Sequence, residues 1–375
     1  MKQHPRIAIV CDWLTTMGGA ENVVLELHRL FPDAPIYTSV YDQARMSAFA
    51  DADVRTTWMQ KLLPASLRYR QALWPVLRAY AFRSLDLSSY DLIISSASAE
   101  AKAVRKRSDA VHICYCHTPI RYYYSHYNEF RREFDFGPLT FLLRPFIPLF
   151  VKWMRRKDLA SIKGVDVFIA NSNETKARIK RYYQRDSAVV FPPVATKKFA
   201  LSNKLPRRSG FIVWGRQVPY KRFDLAILAC NQLKLPLTIV GEGPDTARLK
   251  SLAGPTVTFT GRISDPELVR LAHASKAFFF PGEEDFGMAA AEALSAGLPV
   301  IAYKSGGSLD IIEEGVNGVF FDKKSLASIV DAIKRCNETA FSEHAILASA
   351  EKFSEARFDA ALRNVVDEQS RSTLP

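Results

Sequence analysis

The sequence predicts an α/β protein of two successive domains, each a parallel sheet covered by helices on both faces. Its 375 residues exceed one ordinary domain and suffice for two domains with separate cores. Short runs rich in Val and Ile alternate with helical patterns, as is typical of buried parallel strands. The alternation starts afresh at Phe211, after the proline- and lysine-rich stretch Pro192–Pro206, which is the best candidate for a linker.

In the first half, apolar runs bounded by turn residues predict seven strands. These are Arg6–Val10, Ile36–Val40, Arg55–Trp58, Leu92–Ser95, Val111–Cys116, Val167–Ala170 and Ala188–Phe191. Helical patterns cover Ala20–Leu30, Leu63–Leu85 with an interruption near Pro75, and Lys157–Ile162.

The second half repeats this alternation with shorter connections. Its predicted strands are Phe211–Trp214, Leu237–Val240, Val257–Thr260, Ala277–Phe280, Val300–Ala302 and Gly318–Phe321. Its predicted helices are Phe223–Leu233, Asp245–Ala253, Pro266–Ala274, Gly287–Ser295, Ser308–Glu313 and Ser325–Lys334, followed by a helical tail over Phe353–Gln369. Two doubly wound halves bind ligands at the carboxyl ends of their strands, so we expect the site in the cleft between them.

Charge and composition narrow the function classes. The chain carries 51 basic and 39 acidic residues, a net charge of +12, which favours an anionic partner. No helix-turn-helix, zinc-finger or RNP-like pattern is present, so nucleic acid is not the expected target. Five scattered cysteines fit a reducing cytoplasm, and Cys114 and Cys116 should share one packed face of a strand.

Two further sequence features bear on location. Met1–Pro5 leads directly into a strand without the pattern of a signal peptide. The longest apolar segment, Pro138–Met154, is interrupted by Arg144, Lys152 and two prolines, and is too short to span a bilayer. We therefore expect a cytoplasmic protein, with peripheral attachment to the inner face of the cytoplasmic membrane as an extension of that location.

The stretch from Phe279 to Ile301 holds the strongest chemical signal. It consists of a strand, a loop with Glu284, a helix with Glu292 eight residues later, and a second strand. The amides around Phe286, Gly287 and Met288 should be free, because the first turn of a helix has no internal partners for them. Free amides at a positive helix end bind anions, and two nearby carboxylates could accept from sugar hydroxyls. A nucleotide diphosphate sugar presents both groups.

This stretch resembles the signature of retaining glycosyltransferases of family 4. The resemblance rests on Glu284-x7-Glu292 with Phe286-Gly287 between, then Glu292-Ala293-Leu294 and Gly297-x-Pro299-Val300. It extends over most of the chain and points most closely to bacterial mannosyltransferases of O-antigen and other surface polysaccharides. It implies the two-domain GT-B fold, with an acceptor-side domain over residues 1–195, a nucleotide-sugar domain over 196–352, and the helix 353–375 packing back on the first domain.

The resemblance also implies roles for residues that follow strands. Arg216 and Lys221 resemble the pair that binds the donor pyrophosphate, and a fork of donors with a point charge can offset a leaving diphosphate without a metal. Gly18 and Gly19 resemble a loop placed against that diphosphate. His117 resembles a histidine that contacts the donor sugar.

The same resemblance assigns the acidic residues of the stretch. Glu284 would orient sugar hydroxyls and Glu292 would hold the ribose, with no protein nucleophile named. Arg262 counts among the donor-binding residues, since the loops around Gly241 and Gly261–Arg262 should carry base choice. We expect no permanently bound cofactor and no metal requirement.

Three positions depart from the family pattern. Asp310 stands where Glu is usual, and Ala195 stands where relatives often carry Asp. Asp285 replaces the usual Gly, as in the mannosyltransferase-like members, and is the main reason for favouring mannose. Asp51-Ala-Asp53 imitates a metal-binding D-x-D motif, but it precedes a strand and is interpreted as a solvated turn.

Two basic, apolar stretches could face an anionic membrane. They are Leu63–Leu85 and Phe141–Trp153 with the Arg155-Arg156-Lys157 run after it. Packing of both on their own sheet, with basic outer faces, explains the same pattern equally well.

The sequence thus predicts transfer of a hexose, preferably mannose from GDP-mannose, to a lipid-linked or growing surface polysaccharide. Two alternatives stay open at this point. One is the same fold with a UDP-sugar donor (glucose, galactose or N-acetylglucosamine), and the other is a non-catalytic protein that binds nucleotide sugars or a membrane surface. The acceptor, the linkage and the oligomeric state are not encoded in any pattern found.

Overall fold

The structure, a computed structural model, describes residues 5–69, 74–128, 131, 141, 144–199 and 208–373. It divides into two compact units, Met1–Phe191 with Asp359–Pro375, and Pro192–Phe358. We call them unit 1 and unit 2 and describe each by itself. The second part of the predicted linker, residues 200–206, lies outside the described residues. Its first part belongs to unit 2, where Phe199 is buried and stacks on Trp214 at 6.0 Å.

Unit 1 contains a seven-stranded parallel sheet in the order β3-β2-β1-β4-β5-β6-β7. The strands are β1 Ile7–Cys11, β2 Ile36–Thr38, β3 Val54–Thr56, β4 Leu92–Ala97, β5 Val111–Cys116, β6 Val167–Ala170 and β7 Ser187–Val189. The central strands β4 and β5 are buried along their whole length, which is why they read as continuous apolar runs. Cys114 and Cys116 lie in one buried cluster, as predicted.

The helices of unit 1 are α1 Gly19–Leu30, α2 Met59–Leu62, α3 Ala65–Arg68, α4 Pro75–Arg83, α5 Ile147–Ser161 and α6 Asn173–Tyr183. The C-terminal helix, α14 Glu355–Thr373, begins in unit 2 and continues into unit 1. Short 3₁₀ turns occur at Ser47–Phe49, Ala101–Ala103, Arg144–Phe146 and Ile162–Gly164.

Unit 2 contains a six-stranded parallel sheet in the order β10-β9-β8-β11-β12-β13. The strands are β8 Phe211–Trp214, β9 Leu237–Val240, β10 Val257–Gly261, β11 Ala277–Phe280, β12 Val300–Tyr303 and β13 Gly318–Phe321. The helices are α7 Phe223–Leu233, α8 Thr246–Leu252, α9 Asp265–Ala274, α10 Met288–Ser295, α11 Ser308–Ile311, α12 Leu326–Glu338 and α13 Glu343–Ala350. Short 3₁₀ turns occur at Thr196–Phe199, Pro219–Lys221 and Glu351–Phe353.

All thirteen predicted strands are present, each within two residues of its predicted bounds. The α/β prediction with two doubly wound halves is therefore confirmed. The interruption predicted near Pro75 within Leu63–Leu85 is present, since α3 ends at Arg68 and α4 begins at Pro75; residues 70–73 lie outside the described part. Pro75 occupies the first turn of α4, where its missing amide hydrogen is not needed.

Helix α5 begins ten residues before the predicted start at Lys157. Pro145 and Pro148 look like helix breakers, but Pro148 occupies the first turn, where its missing amide costs nothing. Helices α2, α6 and α13 were not predicted. For α6 the signal was present, because Ser172 caps the helix by accepting from the Thr175 amide.

Each sheet has one point where the strand order reverses. In unit 1 it lies between β1 and β4, and in unit 2 between β8 and β11. Chain segments leave the two neighbouring strands there in opposite directions, which opens a crevice at the carboxyl edge of the sheet. The loops that follow these four strands carry most of the predicted site residues. Within the described residues, no helix has the length and apolarity needed to cross a membrane.

Candidate active site

The loop after β8 carries Lys221 into the crevice of unit 2. Gly215 leaves the strand with φ +133°, a conformation that favours glycine, and a Cβ there would lie 3.1 Å from the Lys221 Nζ atom. Arg222 directly precedes α7 and donates from its Nε to the Asp224 carboxylate at 3.0 Å, so it stabilises the helix start. Lys221 is therefore the cation that this loop directs inward.

Lys221 forms an ion pair with Glu284 from the loop after β11. The Nζ and Oε1 atoms are 3.0 Å apart, and the two side chains are only 14% and 19% exposed. Burial opposes the charge on Lys221, but the attraction of Glu284, helped by Tyr220, outweighs burial and raises the Lys221 pKa. Lys221 is thus fully charged at neutral pH. The two predicted residues come together across the switch point, from positions 63 residues apart in the sequence.

Gly282 allows the two loops to approach. A Cβ at this position would lie 2.7 Å from the Lys221 Cα and 2.8 Å from the Tyr220 carbonyl oxygen, closer than real side chains approach. Gly241 and Gly243 in the loop after β9 are in the same situation. Their Cβ atoms would lie 2.3 Å from the Gly215 oxygen and 2.1 Å from the Gln217 oxygen. Glycine at these positions therefore lets three loops pack backbone against backbone.

The loop after β12 supports the acidic loop from the other side. A Cβ on Gly306 would meet the Glu284 oxygen at 2.4 Å, and one on Gly307 would meet the Phe286 oxygen at 2.0 Å. The Gly307 amide also donates to the Glu284 carbonyl at 2.9 Å. From the sequence alone, Ser305-Gly306-Gly307 and Gly241-Glu242-Gly243 can also be interpreted as simple strand-to-helix turns. The structure gives both turns a part in holding the site.

Helix α10 directs its amino end toward this loop cluster. Gly287 precedes it with φ +113°, and a Cβ there would meet the Phe280 ring at 2.6 Å. Met288 is the first helical residue, and the N-cap residue Gly287 has no side chain with which to cap the first turn. Phe286 is buried and packs against Phe353 with ring centroids 5.3 Å apart. The first-turn amides and the positive end of the helix dipole are therefore available to an anion.

Glu292 lies one turn into the same helix and accepts a hydrogen bond from the Trp214 indole at 2.9 Å. Burial raises the Glu292 pKa, although this hydrogen bond and the charges of Lys198 and Lys221 pull it back. Lys198 itself pairs with Asp265 at 2.7 Å. The Glu292 carboxylate is thus held on one side by the Trp214 indole, and its remaining lone pairs can accept a hydrogen bond from another donor.

Two predicted basic residues differ in setting. Arg216 is exposed and has no polar partner among the described residues, so its guanidinium is open to a ligand. Arg262 is 81% exposed and lies 3.6 Å from the Glu242 carboxylate. No described contact joins Arg262 to Lys221, Glu284 or Glu292. The structure therefore brings Lys221, Glu284 and Glu292 together around α10 and leaves Arg262 on the surface, with no described contact to them.

The crevice of unit 1 is tied together by Asp12, directly after β1. Its Oδ2 accepts from the Ser98 amide and hydroxyl and from the Ala99 amide, and its Oδ1 accepts from the Ala101 amide, at 2.7 to 3.1 Å. These four bonds join the loop after β1 to the loop after β4. This role of Asp12 could not be predicted from the sequence, because all its partners are backbone amides or a small side chain 86 to 89 positions away.

His117 follows β5 on the same edge of the unit 1 sheet. Its Nε2 lies 2.8 Å from the Ser96 hydroxyl, its ring packs edge-on against Tyr115 at 5.2 Å, and its side chain is nearly buried. Gly18 precedes α1 in an extended conformation and Gly19 is its first residue, both exposed. Glu21 lies in this first turn, and burial raises its pKa to about 7.

Neither acidic candidate for metal binding forms a cluster. Asp53 pairs with Arg55 at 2.6 Å and Asp51 lies 3.8 Å from His28. In the part of the chain that the structure describes, no three His, Cys, Asp or Glu side chains gather as metal ligands. Asp285, the basis of the mannose argument, is buried.

The family comparison covers almost the entire described fold. The family described as "Glycosyltransferase Family 4" matches residues 17–198, and "Glycosyl transferases group 1" matches residues 194–353. Together the two matches span 17–353. The chain belongs to the family 4 glycosyltransferases.

Curated relatives of this family 4 glycosyltransferase align over part of their length. A GDP-mannose-dependent alpha-mannosyltransferase of Corynebacterium glutamicum is 35% identical over 114 residues, 30% of this chain and 27% of the relative. A protein of the same name from Mycobacterium tuberculosis is 41% identical over 104 residues, 28% of this chain and 27% of the relative. The alignments therefore span less than a third of these two relatives.

Solved structures share the fold of the family 4 glycosyltransferase over nearly all of it. Anabaena HepE in complex with UDP has a TM-score of 0.71 at 17% identity, covering 96% of this chain and 100% of that one. Sucrose-phosphate synthase from Thermosynechococcus elongatus has a TM-score of 0.73 at 15% identity, covering 98% and 100%. At these identities the likeness shows the fold alone. The expectation of the GT-B fold is confirmed.

Proposed function

We propose that this family 4 glycosyltransferase transfers mannose from GDP-mannose, with retention of configuration, to a lipid-linked or growing surface polysaccharide. The observation that carries the proposal is the pair of Lys221 and Glu284 beside the uncapped amino end of α10. A buried cation and free amides suit a diphosphate, while a carboxylate next to them suits the hydroxyls of the attached sugar.

The chemistry asked of this site is the departure of a nucleoside diphosphate. When the bond between the anomeric carbon and the phosphate oxygen breaks, negative charge grows on that oxygen. Lys221 and the first-turn amides of α10 stabilise this charge, and the exposed Arg216 adds a fork of donors from the opposite end of the same loop. Because Lys221 and the helix are fixed before the reaction, they need no reorganisation during it.

Sugar and nucleotide have separate carboxylates in this proposal. Glu284 accepts from hydroxyls of the transferred hexose, and Glu292, held by Trp214, accepts from the ribose. The amides near Gly287 and Met288 bind the phosphates. From unit 1, Gly18 and Gly19 approach the diphosphate and His117 contacts the sugar. Unit 2 is then the donor-binding part and unit 1 the acceptor-side part, with residues 353–375 as a helix that returns to the first domain.

The preference for mannose has two supports. The relatives with 35% and 41% identity are named GDP-mannose-dependent mannosyltransferases, and their alignments are short. Asp285 occupies the position at which mannosyltransferase-like members of the family carry an acid. A UDP-sugar donor would keep the same phosphate chemistry and change only the contacts to the base and to the hexose.

The test is calorimetric binding of GDP-mannose, GDP, UDP-glucose and UDP-N-acetylglucosamine to wild type and to Arg216→Ala, first without metal and then with Mg²⁺. We expect GDP and GDP-mannose to bind without metal, and the mutant to bind both at least about tenfold more weakly. Lys250→Ala, an exposed lysine on α8 outside the site, is the matched control. Preference for a uridine donor would replace the mannose proposal, and a strict need for Mg²⁺ would contradict the metal-free mechanism.

Turnover separates an enzyme from a silent binding protein. Incubation of the protein with GDP-mannose and a lipid-linked oligosaccharide should release GDP, and Glu284→Ala should abolish the release while the protein remains folded. Binding that Glu284→Ala leaves unchanged, with no release of GDP in the presence of acceptor, would favour the non-catalytic alternative.

A further inference from the structure

Helix α5 presents an unusual second apolar face. Its inner face, formed by Ile147, Val151 and Met154, packs with Ile120 and Tyr123 in a buried cluster. This packing fixes the helix to unit 1. The outer face is also apolar, although a helix on the surface of a soluble domain is ordinarily polar there.

The outer face is defined by Phe146, Leu149, Phe150 and Trp153. They are 60%, 67%, 39% and 39% exposed. Their spacing of three and four residues aligns them along one side of the helix. Four large apolar side chains exposed in a row form a contiguous patch, and such a patch marks an interaction site rather than ordinary surface.

The charge around this face is of one sign. Five basic residues and no acidic residue lie between Arg144 and Lys157. Lys152 and Arg156 are exposed and have no acidic partner among the described residues. Asp158, the next acid along the helix, is buried and bound to Lys102 at 2.8 Å. The partner of this face must therefore be apolar where Trp153 and Leu149 enter it and negatively charged around them.

The other basic stretch singled out in the sequence behaves differently. Arg78 in α4 is buried and forms an ion pair with Glu100 through its Nε and Oε2 atoms at 2.5 Å. Ala81 is buried in a cluster against which Trp74 and Leu77 pack. Arg78 thus faces the interior of unit 1, as the packing alternative for Leu63–Leu85 expects, whereas Tyr80 is 52% exposed. Arg70 and Leu73 lie outside the described residues.

We infer that the outer face of α5 is the surface by which unit 1 lies on an anionic lipid bilayer. The aromatic and Leu side chains enter the boundary between headgroups and acyl chains, and Lys152 and Arg156 bind the anionic headgroups. A second copy of the chain does not satisfy these requirements, because a symmetric contact between two such faces would bring Lys152 and Arg156 of one copy against the same positive charges of the other.

This inference deepens the proposed function, since a lipid-linked acceptor would be met at the surface on which α5 lies. It does not depend on the donor site. The test is therefore built so that vesicle binding and nucleotide-sugar binding are measured separately on the same preparations.

The measurement is co-sedimentation of the full chain with vesicles of phosphatidylcholine alone or with about one-third phosphatidylglycerol. We expect binding to the anionic vesicles that weakens in about 0.5 M salt, because salt screens the headgroup charge. The double variant Leu149→Ser with Trp153→Ser should lower the partition coefficient on the order of tenfold or more. Lys152→Glu with Arg156→Glu should lower it by at least about tenfold, on anionic vesicles only.

Matched controls come from exposed positions of unit 2. Leu309→Ser removes a leucine that is 54% exposed, and Lys334→Glu reverses an exposed lysine on α12. Both should bind vesicles like wild type. All variants should keep the wild-type unfolding temperature and affinity for GDP-mannose, which separates loss of the lipid surface from loss of the fold or of the donor site.

Three results would overturn the inference. One is wild type that binds GDP-mannose but no vesicles. Another is vesicle binding that the α5 variants and the controls reduce equally. The third is a dimer that the α5 variants convert to monomer while vesicle binding is unchanged, since the face would then be an interface between copies. Failure of GDP-mannose binding with intact, α5-dependent vesicle binding would instead contradict the proposed function alone.

Discussion

Replacing Lys221 by Met removes the charge at the centre of the site and little else. Met keeps an unbranched side chain that can pass Gly215 and Gly282, whereas the charge that pairs with Glu284 at 3.0 Å is lost. Breaking a fully buried ion pair costs about 3–5 kcal/mol, because the remaining charge stays desolvated. The two side chains keep 14% and 19% exposure, so we expect a smaller loss of about 1–3 kcal/mol in the free energy of unfolding.

The sign of the pH dependence follows from the direction of the Lys221 pKa. A lysine whose pKa is raised in the folded state stabilises the fold at every pH below its unfolded value, about 10.4, and loses that contribution as the pH rises through the higher folded value. The stability difference between wild type and Lys221→Met should therefore be constant from about pH 6 to 9 and shrink above about pH 10.5. Urea unfolding followed by tryptophan fluorescence measures it.

The catalytic loss should exceed the loss in stability. Removing one donor to a developing oxyanion lowers kcat by about 10²–10³. The control is Arg222→Met in the same loop, because Arg222 pairs with Asp224 and should affect stability slightly and turnover little. Lys221→Met with the expected loss in stability and a wild-type rate of GDP release would show that the ion pair only supports the loop, and the role given to Lys221 would be refuted.

Three more substitutions examine the packing of unit 2 around that pair and a buried acid of unit 1. Gly282→Ala places a methyl group 2.7 Å from a neighbouring backbone atom and should weaken GDP-mannose binding, measured by calorimetry, at least about tenfold. The control is Gly315→Ala, at a glycine with φ +78° and no atom of the described residues within 4 Å of the added methyl group. It should cost about 1 kcal/mol in stability and leave binding unchanged. Trp214→Phe removes the hydrogen bond to Glu292, so we expect the free energy of unfolding to fall by about 1–3 kcal/mol and GDP to bind more weakly. An unaltered affinity for GDP would contradict the proposal that Glu292 binds the ribose. Glu21 has a pKa raised to about 7, so folding takes up a proton and the free energy of unfolding falls as the pH rises from about 4.3 to about 7. Glu21→Gln should therefore be more stable than wild type by about 1–3 kcal/mol at pH 8 and nearly equal to it at pH 5. A stability difference between the two proteins that does not change with pH would show that the raised pKa of Glu21 is not its cause.

Much of the fold could be predicted because parallel strands leave a plain signal. A strand such as Ala277–Phe280 is buried on both faces and reads as an uninterrupted apolar run. The position of Lys221 and Glu284 followed from the same logic, since each comes shortly after such a strand. When two strands are neighbours at a switch point, the loops that follow them meet, so residues far apart in the sequence come into contact.

Other parts of the site could not be predicted, because their signal lies in tertiary contacts. Trp214 ends a buried strand and its sequence context predicts an ordinary core residue. Its indole nevertheless donates a hydrogen bond to Glu292, which lies 78 residues further along the chain. Arg78 carries the pattern of a surface cation, and only the folded chain brings Glu100 to it. Gly243 and Gly307 look like ordinary turn glycines, and their requirement comes from carbonyl groups of other loops at about 2 Å from a Cβ.

The two switch points of this chain differ in how the polar groups at their crevices are bonded. In unit 1, the carboxylate of Asp12 accepts four hydrogen bonds across the crevice, so its capacity as an acceptor is used within the protein. In unit 2, the equivalent crevice holds an ion pair and a helix amino end that begins at Gly287, which has no side chain to cap it. A buried ion pair adds little net stability compared with an apolar contact of similar volume, so stability alone does not account for Lys221 and Glu284. An anion at the helix end gives both residues further partners: Lys221 gains a second negative charge, and Glu284 becomes free to accept from hydroxyl groups. In the proposed function, the ion pair thus keeps both side chains charged and ordered where a sugar diphosphate would bind.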